Sequence, residues 1–475
     1  MKSVDVDGFV NTYCPSRGAR DKPRPGHHFG KNNVVPQTYE IRDPIHRTIL
    51  ITEDERRVLD HPWIQRLRHI RQLGFVSLVY PGAVHDRFQH SLGVMHLAAE
   101  RFRRLVDAKP KAMNGFAQAD FDYGYHVLRF AGLLHDAGHA PFSHTAEHYL
   151  PSVEHVRLPE PWYRDGQMPA ERQARHEDLS LAIIHGLVGE GVIAEDLARD
   201  VAAVLSPTIR RSPRLANLGT LVTILRALVS GEIDADRGDY LLRDSHFLGV
   251  SYGLYDLPRL TACETILQGP DGPELGLDVH GVHALEGLLL ARYHMFLQVY
   301  FHKTPPAFEY YLERAIAEGE VEFSLSRGLA DLVELRDDSV TNRLHQARAK
   351  GLPWSRRILD REPAKLVLRE RIGAESQENF LAAELVGSLK QAGCHVFTRH
   401  SRQQFTGIVG AGAAATGTRL LCERRVLGRS LVEPVTNHSE LLAAFNKPID
   451  LNHTYVLRAD VEKATAVMER LQAWA

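Results

Sequence analysis

Several side chains able to bind a metal ion or to transfer a proton lie within twelve positions of one another, in the stretch LLHDAGHAPFSH (133–144). These side chains are His135, Asp136, His139 and His144. The adjacent His135 and Asp136 offer one nitrogen and one oxygen ligand to a single ion, a combination that suits Zn, Mn, Fe or Mg. Two ligands do not complete a metal site, so further ligands must come from elsewhere in the chain.

Two distant segments contain the ligand types that are missing. HDRFQHSLGV (85–94) contributes His90, and GEIDADRGDYLLRD (231–244) contributes Asp234 and Asp236. One histidine, the His-Asp pair and one distant aspartate give four ligands on three predicted helices. Such a set leaves positions open for water and substrate, as a catalytic metal requires. Asp234 and Asp236 each offer the fourth ligand, and Asp234 also fits a carboxylate at the start of a helix.

The elements that must position these residues are mostly helical. Apolar side chains recur every three to four residues in long segments up to about residue 315, including HSLGVMHLAAERFRRLV and YHVLRFAGLLHD. A short strand is predicted over Thr48–Thr52, and a helix is predicted to begin near Glu53. Residues 1–38 are rich in Gly, Pro, Asn and basic residues and lack periodicity, which predicts an irregular arm.

The C-terminal part of the chain has a different pattern. A charged helical stretch is predicted over residues 325–392, and strand-like and helical segments alternate in the last 80 residues. The fold class is therefore mostly α, with a helical core and a small C-terminal α+β lobe. The predicted divisions are an arm (1–38), a catalytic core (39–312) and a C-terminal helical and α+β region (313–475). GIVGAGAAATG (407–417) is similar to a dinucleotide fingerprint, but Gly417 interrupts the required helix and favours a loop.

Composition argues against several classes of partner. The 57 Lys and Arg residues nearly balance the 59 Asp and Glu residues, so no global field attracts nucleic acid or an anionic membrane. The four cysteines show no metal-binding spacing, which fits a reducing compartment. We find neither an apolar stretch long enough to span a bilayer nor an N-terminal signal core. These features predict a cytoplasmic, soluble protein with no membrane partner, and they disfavour nucleic acid.

The order His90, His135-Asp136, Asp236 resembles the H…HD…D signature of the HD superfamily of metal-dependent phosphohydrolases. Longer strings are more specific than these four letters. YPGAVHDRFQHSLGV, AGLLHDAGHAPFSH, DADRGDYLLRDSHFLG and QVYFHK together resemble the dNTP triphosphohydrolase branch of that superfamily. The similarity runs from about residue 39 to 303, and more weakly to the C-terminus.

The resemblance implies a role for each matching position. The implied ligands of a divalent metal (Mn, Mg, Fe, Zn and Ni are not distinguished) are His90, His135, Asp136 and Asp236. His139 and His176 are expected over the α-phosphate, one of them protonating the leaving 5′ oxygen, with Glu177 orienting His176. The implied substrate-binding residues are Arg87 and Lys303 for phosphate oxygens, Tyr240, Asp244 and Tyr300 for the nucleoside, Gln72 and Leu73 for the 3′ side of the sugar, and His144.

The implied reaction is attack of water on the α-phosphate of a dNTP, which releases a deoxynucleoside and tripolyphosphate. The residue types agree with this reaction, because arginine and lysine bind phosphate oxygens and histidine can protonate a departing alkoxide. Two alternatives remain open. One is an HD-type nucleotidase or phosphodiesterase acting on other nucleotides. The other is a nucleotide-gated oligomeric regulator with weak hydrolysis.

The resemblance also bears on regulation. Asp60 and Arg68 match positions that read a guanine nucleotide at the activator site of vertebrate members. A GTP or dNTP activator and an allosteric homo-oligomer, a tetramer or larger, are therefore expected. The chain departs from the family pattern at Gln89, where relatives usually carry glutamate. Because this neighbour of His90 is not itself a ligand, the departure does not exclude hydrolysis.

Overall fold

The structure is a computed structural model that describes residues 38–108, 113–269, 272–372, 376–404, 406–408, 420–444 and 448–472. The helices are α1 (Glu53–Leu59), α2 (Pro62–Gln65), α3 (Arg87–Asp107), α4 (Gln118–Leu134), α5 (His176–Gly189), α6 (Glu195–Leu205), α7 (Pro213–Asn217), α8 (Leu221–Ser230), α9 (Ala235–Leu248), α10 (Leu257–Cys263), α11 (Val282–Met295), α12 (Pro305–Ala317), α13 (Leu329–Leu332), α14 (Asp337–Ala349), α15 (Pro353–Leu359), α16 (Ser376–Gln391), α17 (Glu440–Ala444) and α18 (Val461–Gln472). The strands are β1 (Thr38–Asp43), β2 (Arg47–Thr52), β3 (Glu264–Gly269), β4 (Gly272–Asp278), β5 (Lys365–Arg371), β6 (Val396–Gln403), β7 (Leu421–Val426), β8 (Arg429–Pro434) and β9 (Ile449–Val456). Among the described residues, none of the helices combines the length and apolarity needed to cross a bilayer.

The first described elements are a hairpin and a capped helix. β1 and β2 pair antiparallel, with Thr38 opposite Thr52. Thr52 then caps α1, because its hydroxyl accepts from the backbone N–H of Glu55 while the Glu55 carboxylate accepts from the N–H of Thr52. This reciprocal capping box starts the helix at Glu53. The predicted strand and helix start are both confirmed, whereas residues 1–37 of the predicted arm lie outside the described residues.

The core is built around α3, which packs against both α4 and α9. The apolar face predicted for α4 is buried, including Val127, Leu128, Ala131 and Leu134. α3 and α9 both begin at an aspartate whose side chain accepts a backbone N–H of the first turn: Asp86 for α3 and Asp234 for α9. The predicted capping role of Asp234 is confirmed. The first turns of α3 and α9 and the last turn of α4 meet at one end of this helical core.

Glycine at position 93 permits the close approach of α3 and α9. A Cβ atom added to Gly93 would overlap Asp239 Oδ1 and lie 2.5 Å from Arg243 Nη2, and both of those side chains are fully buried. We expect Gly93→Ala to lower the free energy of unfolding by about 2 to 3 kcal/mol, measured by denaturant titration, because the buried ion pair must shift. Gly124→Ala in α4 is the matched control: its added Cβ would lie 3.4 Å from Phe102, an ordinary contact. Equal stability of the two variants would contradict this packing account.

Two sheets complete the fold. β3, β4, β7 and β8 form a four-stranded sheet in which β4 pairs parallel with β7, and β5, β9 and β6 form an antiparallel three-stranded sheet. The C-terminal α+β prediction is confirmed by β6, β7, β9, α17 and α18. The continuous helical stretch predicted over residues 325–392 is wrong, because β5 interrupts it. The division at residue 312 stays a prediction, and strands from both sides of it share one sheet. Most of the glycine-rich stretch 407–417 lies outside the described residues.

Candidate active site

Four candidate metal ligands converge where three helix ends meet. His90 lies in the first turn of α3, His135 and Asp136 directly follow α4, and Asp236 lies in the first turn of α9. The Nε2 atom of His90 is 3.0 Å from Asp236 Oδ1 and 3.8 Å from Asp136 Oδ2. The Nε2 atom of His135 is 3.4 Å from Asp136 Oδ1 and 3.8 Å from Asp236 Oδ1. The structure thus brings together the four residues that the sequence pattern selected.

The chemistry of this cluster fits a divalent cation. The Nε2 atom of His135 is buried and has no hydrogen-bond partner among the described residues. A buried polar atom without a partner is costly, and a bound cation would satisfy it. One donor atom each from His90, His135 and Asp236 lies within 4.8 Å of the others, and Asp136 adds a second carboxylate. Two imidazoles and two carboxylates suit Zn, Mn, Fe or Mg.

A buried ionic network orients His90. The Nδ1 atom of His90 is 2.8 Å from Asp239 Oδ2, and Arg243 donates to both oxygens of Asp239. Arg243 also donates to Asp43, and His46 contacts Asp239 at 2.7 Å. A carboxylate that accepts the Nδ1 proton fixes the ring orientation and leaves Nε2 directed at the cluster. Burial disfavours a charged imidazole, but the hydrogen bonds to Asp236 and Asp239 outweigh it and raise the pKa of His90 to about 10, which shows how strongly these carboxylates attract positive charge.

The loop 135–143, which follows α4, is held by two buried polar side chains. Arg66 donates to the carbonyl oxygens of His139 and Ala137 at 2.8 and 2.7 Å. Ser180, on α5, donates to the carbonyl of His135 at 2.8 Å and accepts from the N–H of Gly138 at 2.9 Å. Our sequence analysis missed both residues. They fix the backbone on either side of Asp136 and draw the start of α5 to the cluster.

A second group of histidines lies beside Asp136. The rings of His139 and His176 stack, with centroids 3.8 Å apart and planes inclined by 15°. His139 Nε2 is 3.4 Å from Asp136 Oδ1, which connects this pair to the four candidate ligands. Glu147 accepts from both the Nδ1 atom and the backbone N–H of His176, and its other oxygen is 3.1 Å from His144 Nδ1.

The residue that orients His176 is therefore Glu147 rather than the predicted Glu177. Glu177 Oε2 is 3.6 Å from His176 Nδ1, and 61% of the Glu177 side chain is exposed. The resemblance implied Glu177, but neighbouring side chains at the start of a helix point in different directions. The available signal was the position of Glu147 three residues after His144, within the short 3-10 helix Ser143–Tyr149.

The stacked pair is better suited to handling protons than to binding an ion. His139, His144, Glu147 and His176 lie close enough to share a cation. However, the lone pairs of imidazole lie in the ring plane, so two nearly parallel stacked rings do not direct them at one point. Burial holds the pKa of His139 well below its usual value. Burial also disfavours charge on His176, but its hydrogen bond to Glu147 raises its pKa. Two adjacent imidazoles thus differ in proton affinity, as an acid and its neutral neighbour would.

A cavity of about 600 Å³ opens beside both groups. Ligand sites commonly have volumes in this range. The predicted substrate residues that line it are Gln72, Leu73, Arg87, His144, Tyr240, Asp244 and Tyr300. Arg237 and Arg292 also line it and were not predicted, although Arg237 directly follows Asp236. Lys303 is a correction: it is exposed and is not among the lining residues, and its carbonyl accepts from Tyr455. Glu177 lines a neighbouring cavity of about 440 Å³.

Two predicted substrate residues are held rigidly at the cavity wall. Tyr300 ends a π-helical turn, Phe296–Tyr300, of the kind found at functional sites. Its hydroxyl donates to Asp244 at 2.6 Å, and His85 Nε2 is 2.8 Å from the other oxygen of Asp244. Arg87, which is buried, donates to Asp136 and, at 3.1 Å, to Ser143. Arg87 therefore connects the cavity wall to a candidate metal ligand.

The two predicted activator residues do not share a cavity in the single chain. Asp60 is exposed and accepts from Arg56 at 2.9 Å. The Arg68 guanidinium lies 3.7 Å from the centroid of the Phe88 ring. Arg68 lines a separate cavity of about 590 Å³ whose lining does not include Asp60. Their activator role therefore stays a prediction.

Comparisons with known proteins agree with the geometry. A sequence profile described as the HD domain matches residues 87–190, which include His90, His135, Asp136 and His176. An uncharacterized protein of Methanocaldococcus jannaschii is 31% identical over 297 residues, covering 62% of this chain and 53% of that protein. A Dictyostelium discoideum protein described as a deoxynucleoside triphosphate triphosphohydrolase SAMHD1 homolog is 28% identical over 321 residues, covering 67% and 57%. The match thus spans little more than half the length of these relatives.

The whole fold also has a counterpart among solved structures. A hypothetical protein from Aquifex aeolicus superposes with a TM-score of 0.68 at 25% identity, covering 91% of this chain and all of that one. The similarity therefore extends well beyond the segment matched by the sequence profile, into the C-terminal sheets.

Proposed function

We propose that this chain, whose residues 87–190 match the HD domain, is a divalent-metal-dependent dNTP triphosphohydrolase. In the proposed reaction, water attacks the α-phosphate of a dNTP, the bond from phosphorus to the 5′ oxygen breaks, and a deoxynucleoside and intact tripolyphosphate leave. The observation that supports this most is that Asp136, Asp236 and both stacked histidines line one cavity of about 600 Å³. His90 and His135 lie directly beside those two carboxylates.

Each group of residues has a proposed task. His90, His135, Asp136 and Asp236 would hold the cation, which when bound supplies Lewis acidity at a phosphoryl oxygen and acidifies water. Arg87, Arg237 and Arg292 line the same cavity and would bind phosphate oxygens, which the planar guanidinium fits well. Substrate charge would thus be met by fixed cations that need no reorganisation during the reaction.

His176 is the proposed general acid. Glu147 accepts at Nδ1 and stabilises a proton there, so the ring can carry a second, transferable proton at Nε2. That proton would go to the departing 5′ oxygen. His139, whose pKa burial lowers, would act as a neutral neighbour that keeps His176 in place by stacking. His144, on the other oxygen of Glu147, would support the same arrangement.

The sugar is proposed to bind between Gln72, Leu73, Tyr240, Tyr300 and Asp244. Gln72 Oε1 is buried without a hydrogen-bond partner among the described residues, so it can accept from a sugar hydroxyl. Asp244 is held by Tyr300 and His85 and has further acceptor capacity for the 3′ hydroxyl. The ring of Tyr300 would lie against the sugar. This set of contacts favours a nucleotide over a simple phosphate ester.

The reaction is tested by its products. Purified protein supplied with a divalent metal is incubated with each dNTP, and the products are separated by ion-exchange chromatography. We expect deoxynucleoside and tripolyphosphate in equal amounts. Release of pyrophosphate with dNMP, or of orthophosphate, would contradict the proposed bond cleavage and favour another HD-type nucleotidase. Absence of turnover with every dNTP and metal would contradict the enzyme proposal itself.

The role of Glu147 gives a paired prediction. Glu147→Gln is expected to lower kcat by about tenfold to a hundredfold, because His176 loses the carboxylate that stabilises its protonated form. Glu177→Gln is expected to change kcat by less than about threefold, because Glu177 is mostly exposed. Steady-state kinetics at saturating dNTP measures both. A larger loss of kcat in Glu177→Gln than in Glu147→Gln would mean that Glu177, and not Glu147, orients His176.

Regulation is proposed on the resemblance alone. GTP or a dNTP would bind at a site that includes Asp60 and Arg68, and would promote a homo-oligomer, a tetramer or larger. Gel filtration with and without GTP is expected to show a shift to larger species that Arg68→Ala abolishes. An unchanged elution volume would contradict this proposal.

A further inference from the structure

Residues of α12 and β6 form a polar end of the cavity. Glu309 and Glu313 are four residues apart on α12 and so lie on one face of it. Arg399 and Gln403, on β6, are separated by an even number of positions and so lie on one face of that strand. All four side chains line the cavity.

The two carboxylates at this end differ in their contacts. Both oxygens of Glu313 accept from Arg399, at 2.7 and 2.8 Å. Glu309 Oε2 lies 3.7 Å from Arg399 Nη2, beyond hydrogen-bond distance. Glu313 therefore satisfies the guanidinium, and Glu309 presents its carboxylate to the cavity with acceptor capacity to spare. Burial raises the pKa of Glu309, as expected for a carboxylate with weak compensation.

The charges decide which part of a nucleotide suits this end. Glu309, Glu313 and Arg399 together carry one net negative charge, so a polyphosphate would be repelled here. Arg87, Arg237 and Arg292 line other parts of the cavity and suit the phosphates. The end formed by α12 and β6 therefore suits an uncharged group that offers N–H donors, and the group of a nucleotide with that chemistry is the base.

Guanine matches a carboxylate better than the other bases do. Its N1–H and 2-amino group are adjacent donors that can bind the two oxygens of one carboxylate. Adenine and cytosine present one amino group beside an acceptor nitrogen, and thymine presents one N–H between two carbonyls. The oxygen O6 of guanine would meet an N–H of Arg399, whose five donors are not all used by Glu313.

We propose that Glu309 reads the N1–H and 2-amino group of a guanine base, which makes dGTP the preferred substrate. This inference rests on the proposed dNTP hydrolysis. Hydrogen bonds to a charged acceptor discriminate strongly when the partner is deleted, and loss of the 2-amino donor is expected to cost at least about tenfold.

The test deletes one atom group from the substrate and one charge from the protein. The ratio of kcat/KM for dGTP to that for dITP, which lacks the 2-amino group, is measured for the unmodified protein and for Glu309→Gln. We expect a ratio of at least about ten for the unmodified protein and a ratio near one for Glu309→Gln. Glu318→Gln, at the exposed end of the same helix, is the control and should keep the original ratio.

A binding measurement separates this inference from the proposed reaction. Calorimetric titration with deoxyguanosine and deoxyinosine, which carry no phosphate, reports base recognition whether or not dNTPs are hydrolysed. Tighter binding of deoxyguanosine that Glu309→Gln abolishes would support the inference. Equal binding of the two nucleosides, or an unchanged dGTP to dITP ratio in Glu309→Gln, would overturn it even if dNTP hydrolysis is found.

Discussion

Replacement of His135 by alanine is expected to remove the bound divalent metal and to lower dNTP turnover by at least about a thousandfold. Loss of a residue that only supports a metal ligand typically costs tenfold to a hundredfold, and His135 is itself a proposed ligand. Its buried Nε2 atom makes no hydrogen bond among the described residues and faces the carboxylates of Asp136 and Asp236, at 3.4 and 3.8 Å. Because His135 follows the last residue of α4 and lies outside the apolar core, the fold is expected to survive.

Three measurements test the His135→Ala variant. Mass spectrometry gives its metal content, steady-state kinetics gives its turnover, and the thermal unfolding midpoint shows whether the fold survives. His126→Ala is the matched control, because His126 lies in α4, the helix that precedes His135, and packs against Phe130, away from the four ligands. The control is expected to keep its metal and its turnover. Full turnover by His135→Ala would refute the ligand assignment.

Replacement of His176 by glutamine is the second large effect. We expect kcat to fall by about a hundredfold to ten thousandfold, the range typical of a lost general acid. Metal content and KM are expected to change little, because His176 stacks on His139 and is not one of the four candidate ligands. The departing 5′ oxygen would then leave without a proton from the protein.

The separation of kcat from KM is the critical readout for His176. His185→Gln is the matched control, since His185 is on the same helix and packs edge-on against Trp162 at 5.0 Å. It is expected to keep nearly full turnover. A His176→Gln variant that raises KM without lowering kcat would assign His176 to substrate binding.

The helical core was readable from the sequence because its helices carry regular apolar faces. α4 illustrates this, since the residues that the periodicity selected are all buried. β3, β4 and β5 were missed for a physical reason: each has six or seven residues, and β4 contains two glycines and a proline. Such strands are defined by their partners in the sheet, and pairing between distant segments leaves little local signal.

The sequence predicts those site residues whose types and order along the chain form a recognisable pattern. His90, His135, Asp136 and Asp236 were found because their types and order match a known pattern. Glu147 was missed because its contact with His176 joins positions 29 residues apart, whereas Glu177 is adjacent in sequence. Arg66 was missed because a buried arginine that binds backbone carbonyls leaves no motif. Lys303 was misassigned because the resemblance matches residue types along the chain, and a matching position does not fix where its side chain lies.

The most direct test of the central claim is a crystal structure of the metal-loaded protein with anomalous diffraction recorded at the absorption edge of the bound metal. We predict one anomalous peak per chain, about 2.0 to 2.3 Å from nitrogen atoms of His90 and His135 and from carboxylate oxygens of Asp136 and Asp236. An ion bound instead by His139, His144, Glu147 and His176, or no ion at the four predicted ligands under conditions that support turnover, would contradict the account.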